Sequence, residues 1–130
     1  MLASGSPWQA RRVGHASIQE VTRKVLLTYW NTVSFLSLYT RLSDYVPGSL
    51  NLARDKRPEI DQWLLSLVDD AILQVTQSLE NFDTQKAGKV LFEVVDDMSN
   101  WYVRRNRRRF WDADPVALDT LHEALRKILK

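Results

Sequence analysis

Cysteine is missing from these 130 residues, which excludes disulfide staples and thiolate metal sites. Histidine is nearly missing: His15 and His122 stand too far apart in sequence to make a local ligand pair. No apolar run approaches the ~20 residues that span a bilayer. Met1 to Ala10 also lacks the charged-then-apolar pattern of a secretory leader. Secretion and membrane insertion are therefore unsupported, and the cytoplasm is the expected compartment. Glycine and proline number four each, too few for a low-complexity or linker-dominated chain. An excess of one charge is lacking as well: the net charge of +2 selects no partner by itself.

What remains is the composition of one soluble globular domain. Hydrophobic residues make up 45% and charged residues 26%, and a chain of this length buries roughly two-thirds of its unfolded surface. The scarce glycines and prolines mark breaks. Gly5, Pro7 and Gly14 give an irregular lead-in over 1–16. Pro47, Gly48 and Pro58 bracket a linker from Val46 to Arg57, and Pro115 opens the last segment.

Between these breaks the apolar residues recur at helical spacing. The first helix is predicted from about Ile18 to Tyr45, capped by Ser17, with Val21, Val25, Tyr29, Val33 and Leu36 on one face. Leu26, Leu27, Trp30, Phe35 and Leu38 lie on its other faces, so it should pack against more than one neighbour. The second runs from Glu59 to Asn81 behind Pro58, with the stripe Ile60, Trp63, Leu64, Leu67, Val68, Ala71, Ile72, Val75 and Leu79. The third starts after Asp83 or Thr84 and carries Ala87, Val90, Leu91, Val94, Val95, Met98, Trp101 and Tyr102. The fourth has Asp114 at its cap and Pro115 at its first position, followed by Val116, Leu118, Leu121, Leu125, Ile128 and Leu129. No segment alternates like a strand. The expected fold is all-α, a bundle of four principal helices. The last helix reaches Lys130 still in apolar register, which suggests truncation.

The third helix changes character at its end. From Trp101 to Trp111 there are five arginines and no acid. Extended at 100° per residue, the apolar stripe next meets Arg105 at its centre and Arg108 and Arg109 on its flanks. Arg104 and Arg107 face the other way. Burying three unpaired guanidinium groups would cost several kcal/mol each, so the helix must outrun the core there or meet acids. Guanidinium groups suit phosphate through their two-pronged geometry, and the flanking rings of Trp101, Tyr102, Phe110 and Trp111 suit unstacked bases. The strip also fits a solvated helix end, where cations favour the dipole, with Trp101 and Tyr102 packed in the core. Other chemistry is weaker. Asp69-Asp70 and Asp96-Asp97 are adjacent acids about 100° apart on a helix, unable to converge as an acid–base pair. No catalytic residue is singled out.

The order of short blocks adds a resemblance. Ala3-Ser-Gly-Ser-Pro-Trp8 with Ala10-Arg-Arg-Val13, Leu27-Thr-Tyr-Trp-Asn-Thr32, Glu59-Ile-Asp-Gln-Trp-Leu-Leu-Ser66, Leu79-Glu-Asn-Phe-Asp83 with Lys86-Ala87, and Asp97-Met-Ser-Asn-Trp-Tyr-Val-Arg-Arg105 with Arg107-Arg-Arg-Phe-Trp111 resemble class I isoleucyl-tRNA synthetases. The last block looks like versions carried by actinobacteria and eukaryotes. Gln62 stands where the family usually has arginine, Leu67 falls where a charge is common, and the linker from Tyr45 to Pro58 matches poorly. The family's ATP-site signatures, His-x-Gly-His and Lys-Met-Ser-Lys-Ser, are not in these residues.

The resemblance implies an anticodon-binding helical domain over 17–130. The larger enzyme would join isoleucine to tRNA(Ile) with ATP, magnesium and zinc. This segment would itself be non-catalytic, without a cofactor, and a monomer docked to its catalytic and editing domains. The expected tRNA contacts are Arg104, Arg105, Arg107, Arg108, Arg109 and Trp111, supported by Asn100, Trp101 and Tyr102. The alternative is a free-standing helical module whose basic tip docks an acidic protein.

Overall fold

In the computed structural model of the chain, residues 14, 15, 19, 20 and 22–130 are described. The lead-in over 1–16 thus lies outside the described residues except for Gly14 and His15, as do the Ser17 cap and the first block of the resemblance. A π-helical turn, Thr22–Leu27, leads into α1, Thr28–Leu42. A short 3₁₀ turn at Arg54–Lys56 precedes α2, Glu59–Glu80. Next come α3, Thr84–Asp96, and a second π-helical turn, Asp97–Val103. The chain closes with the five-residue α4, Arg107–Trp111, and with α5, Pro115–Ile128. No strand occurs among the described residues. The fold is the expected all-α bundle, with four substantial helices and one short one.

The predicted stripes converge on one core over part of their length: Trp63, Ile72, Leu79, Leu91, Trp101 and Leu129 stay exposed, and Leu65, outside the stripes, is buried. Leu36 of α1, Leu64, Val68 and Ala71 of α2, Val94 and Val95 of α3, and Leu118, Leu121 and Leu125 of α5 pack together with Met98, Tyr102 and Phe110. The two predicted aspartate caps close their helices. The Asp83 carboxylate accepts from the backbone N–H of Lys86, and that of Asp114 accepts from Val116. Each cap also sits in a turn that ends the preceding helix. Phe82 and Ala113 adopt left-handed backbone angles, φ +57° and +55°. The N–H of the following aspartate then reaches back five residues, from Asp83 to Ser78 and from Asp114 to Arg109. This satisfies carbonyls that the helix ends leave open.

α1 meets its partners on one side only. Leu26, Leu27, Trp30, Leu38 and Leu42 stay exposed, so the expected packing on several faces is not found among the described residues. Its neighbours α3, α5 and the second π-helical turn meet the side of Thr32 and Leu36, which are buried.

The linker between α1 and α2 is held by α5. The buried Asp119 accepts from the Tyr45 hydroxyl at 2.7 Å and from the Gly48 N–H at 3.0 Å. Gly48 turns the chain at φ +83°, where a side chain would be strained. Arg57, equally buried, donates to Asp119 at 3.0 Å and to the Thr120 hydroxyl at 2.8 Å, and pairs with Glu123. Replacing Asp119 with Ala leaves the buried guanidinium with only the half-exposed Glu123 for a counter-charge and releases the linker. A loss of about 3–5 kcal/mol in chemical denaturation is expected, against about 1 kcal/mol for Tyr45→Phe, which removes one hydrogen bond.

A more exposed contact ties α5 to α2: Lys127 bonds Asp69 at 2.8 Å, and Arg54 bonds the other Asp69 oxygen at 2.6 Å. Burial opposes the charge on both partners, but these bonds outweigh it. Asp69 is lowered from its ordinary value and Lys127 raised. The stabilisation is therefore present between the two ordinary values. It is lost as pH falls through the lowered carboxylate value, and again as pH rises through the raised amine value. Asp69→Asn should shallow the acid limb of a melting-temperature profile taken against pH, more at low salt than at high salt.

Candidate nucleic-acid interface

The arginine strip does not continue α3 as one straight helix. Val94, Met98, Tyr102, Asn106 and Phe110 are all buried, at a strict interval of four. At 100° per residue such a series drifts by about 160° over its length. The widened turn at Asp97–Val103 and the break at Asn106, φ −95° and ψ 9°, take up that drift. The phase beyond the core is thereby reset, and this decides which arginine faces inward.

Arg109 faces inward. Its Nη1 and Nη2 donate to the two oxygens of Asp61 at 2.7 and 2.8 Å, and its Nε donates to Asp114 at 2.7 Å. The Asn106 side-chain oxygen, Oδ1, accepts from Nη1 at 3.0 Å. Asp61 is fully buried in the first turn of α2, where the helix dipole favours a carboxylate. It also accepts from the Tyr102 hydroxyl at 2.7 Å. The Asp61 bond, aided by Asp114, raises Arg109 above its ordinary value against the opposing effect of burial. Burial, with Asp61 beside it, pushes the Tyr102 hydroxyl far above the tyrosine range, so it stays a donor. This corrects the sequence reading of Arg109. Its fork is committed to two internal carboxylates, which removes it from the expected phosphate contacts.

Phe110 completes the anchor. Its buried ring meets Phe35 edge-on at 5.1 Å and lies 6.3 Å from Tyr102. A helix of five residues has little stability of its own, so Arg109 and Phe110 hold α4 in place. The other four arginines, Arg104, Arg105, Arg107 and Arg108, are exposed, as is Trp111 at 64%. Among the described residues no carboxylate pairs with Arg104, Arg105 or Arg107. Arg108 has a loose exposed contact to Asp112 at 3.7 Å. The extrapolated stripe put Arg105 at its centre; instead its guanidinium lies over the Trp101 ring, 5.1 Å from the centroid. Trp101 in turn rests on Trp63 of α2 at 4.3 Å and remains 38% exposed.

The three supporting residues separate. Tyr102 is a core residue and Trp101 a surface platform. Asn100 is exposed and donates to Asp96 at 2.6 Å, without touching the arginines through a hydrogen bond. Asn100, Arg104 and Arg107 line one side of a groove whose other side is α1, with Asn31 and Phe35. Asp61 and Asn106 were missed. Asp61 sits among apolar neighbours like an ordinary solvated acid, and only the interval of four that includes Asn106 hinted at its burial.

Asp61 and Arg109 belong together energetically. Arg109→Met leaves a buried, uncompensated carboxylate and should cost about 3–5 kcal/mol in urea denaturation. The double change Asp61→Leu with Arg109→Met should cost much less than the sum of the single changes. Additive losses would mean that the two side chains act separately.

Comparison with known proteins agrees with this architecture. Residues 61–130, just over half of the chain, match the family described as the anticodon-binding domain of tRNA ligase. Over its whole length the chain is 58% identical to the isoleucine–tRNA ligase of Streptomyces avermitilis and 57% identical to that of Streptomyces coelicolor. It is 45% identical to that of Cutibacterium acnes. The chain spans 12% of the length of each Streptomyces relative and 14% of the Cutibacterium one. The family match covers the α2 to α5 bundle with its arginine-bearing connection, and the chain belongs to the family of anticodon-binding domains of tRNA ligases.

Proposed function

We propose that this chain docks the anticodon arm of tRNA(Ile), as part of an enzyme that ligates isoleucine to that tRNA using ATP. The observation that carries this reading is the exposed strip of Arg104, Arg105, Arg107 and Arg108, with Trp111, on a segment pinned from below by Arg109 and Phe110. A rigid cationic edge beside an exposed indole suits a folded RNA, whose phosphates fix register while its unpaired bases stack. ATP, magnesium and zinc belong to the parent enzyme in this proposal. The chain itself binds without catalysing, in the cytoplasm and as a monomer. No helix among the described residues is long and apolar enough to cross a membrane. The catalytic and editing domains of the same enzyme are the proposed neighbours of the apolar outer face of α1.

The test is a salt titration of tRNA affinity by anisotropy. Each arginine on a phosphate contributes about 0.7–0.9 to the slope of log affinity against log salt. Arg108→Ala should lower that slope by about this amount and weaken cognate and non-cognate tRNA alike. Unchanged affinity and slope for alanine variants at Arg104, Arg105, Arg107 and Arg108 would remove the strip from the interface. Displacement by an acidic protein but not by tRNA would favour the protein-docking alternative.

A further inference from the structure

We propose that the groove between α1 and the second π-helical turn receives one unstacked nucleotide of a single-stranded RNA loop. The base lies between the carboxamides of Asn31 and Asn100, and its flanking phosphates lie on Arg104 and Arg107. This rests on the RNA-docking reading above and names the place where that reading becomes base-selective.

The floor of the groove is apolar and fixed. Phe35 is half-buried, held edge-on by Phe110 and at 4.6 Å by Tyr39, and Val103 beside it is buried. A flat ring can settle on such a floor without displacing it. The walls are polar. Among the described residues the Asn31 side chain has no hydrogen-bond partner, and it is exposed at the rim. Asn100 spends one N–H on Asp96, which leaves its carbonyl oxygen and second N–H for a ligand. A carboxamide presents a donor and an acceptor in one plane, the arrangement that matches a base edge. Arg104 and Arg107 stand on the same wall, exposed and unpaired with any carboxylate of the described residues, and suit phosphates on either side of the base.

One face of the chain makes this wall. Asn100 and Arg104, and likewise Val103 and Arg107, are four residues apart, the spacing that sets side chains on one helical face, and all four line the groove with α1. The surroundings also select among anions. Asp96 and Asp97 stand on the same segment as Asn100. Burial raises the Asp97 carboxyl above its ordinary value, with Asp96 and Glu93 adding to the shift. An acidic peptide laid along this wall would meet that repulsion. A nucleotide brings amino and imino donors to the same place and keeps its charge at the two arginines. Loops are where RNA displays such bases.

The experiment uses the full 130-residue chain and a tRNA(Ile) anticodon stem-loop whose loop nucleotides are replaced one at a time. Binding of wild type should depend on base identity at one loop position at least. Asn31→Ala should keep its helical circular dichroism while its affinity for the preferred base falls toward that for the others, so that the ratio between preferred and disfavoured base drops on the order of tenfold. Arg107→Ala should instead weaken every loop variant equally and lower the salt slope. A 2-aminopurine at the selective position should change its fluorescence on binding to wild type, and less on binding to Asn31→Ala. If the stem-loop binds through the arginines but Asn31→Ala retains full base preference and the same fluorescence change, the groove assignment is overturned and the docking reading stands. If wild type binds no RNA, both fall together.

Discussion

Everything at the working end of this bundle depends on a single buried carboxylate. Asp61 lies at 0% exposure, and an unpaired charge there would be intolerable on the scale of domain stability. The fold therefore must bring a cation to it. Arg109 is the one that arrives, bidentate, with the Tyr102 hydroxyl supplying a further donor. That demand fixes the orientation of α4 and draws in Asp114, so the N-terminus of α5 joins the same lattice. One ion pair thus links three elements that are separated in sequence.

The consequence for charge is a division of labour. Five neighbouring arginines repel one another, and an unsupported cluster of this kind would spread into solvent on flexible stems. Here one of the five is neutralised internally, and its attachment positions the remaining four. The Trp63–Trp101–Arg105 stack adds a second restraint, holding a guanidinium flat on an indole face where cation–π attraction operates without removing its charge. The outward cations are thereby preorganised, which lowers the ordering cost of any polyanion that binds them.

Much of this was legible in the residues. The Asp83 and Asp114 caps and the Pro115 start rest on local rules and appear in the folded chain, whereas the α2 and α5 stripes are buried only in part, with Trp63, Ile72, Leu79 and Leu129 exposed. The arginine-rich block was recognisable as the informative stretch. What could not be extrapolated was helical phase. A projection at 100° per residue assumes one uninterrupted α-helix, and it placed Arg105 centrally and Arg109 at a flank. The π-helical turn and the break at Asn106 carry no glycine or proline to announce them. The turns at Phe82 and Ala113 likewise use left-handed backbone without glycine, so the usual sign of a helix end was absent. Burial of a charge is harder still to read, because Asp61 looks like any acid in a first helical turn until a partner about fifty positions later is known.

The same phase shift joins structural and functional geometry. Were α3 straight through this region, Val94, Met98 and Phe110 could not share one core face. The widened turn and the break at Asn106 bring that inner series into register, while Asn100, Arg104 and Arg107, close together on any helical projection, keep the outer wall. The core side selects the turn through the full burial of Met98, Tyr102 and Phe110. The groove beside α1 is therefore a consequence of packing that exists before any RNA arrives. Rigid recognition of a single base needs that order of events: the apolar floor and the amide walls must be set by the protein's own interior, so that binding energy goes into discrimination instead of assembly.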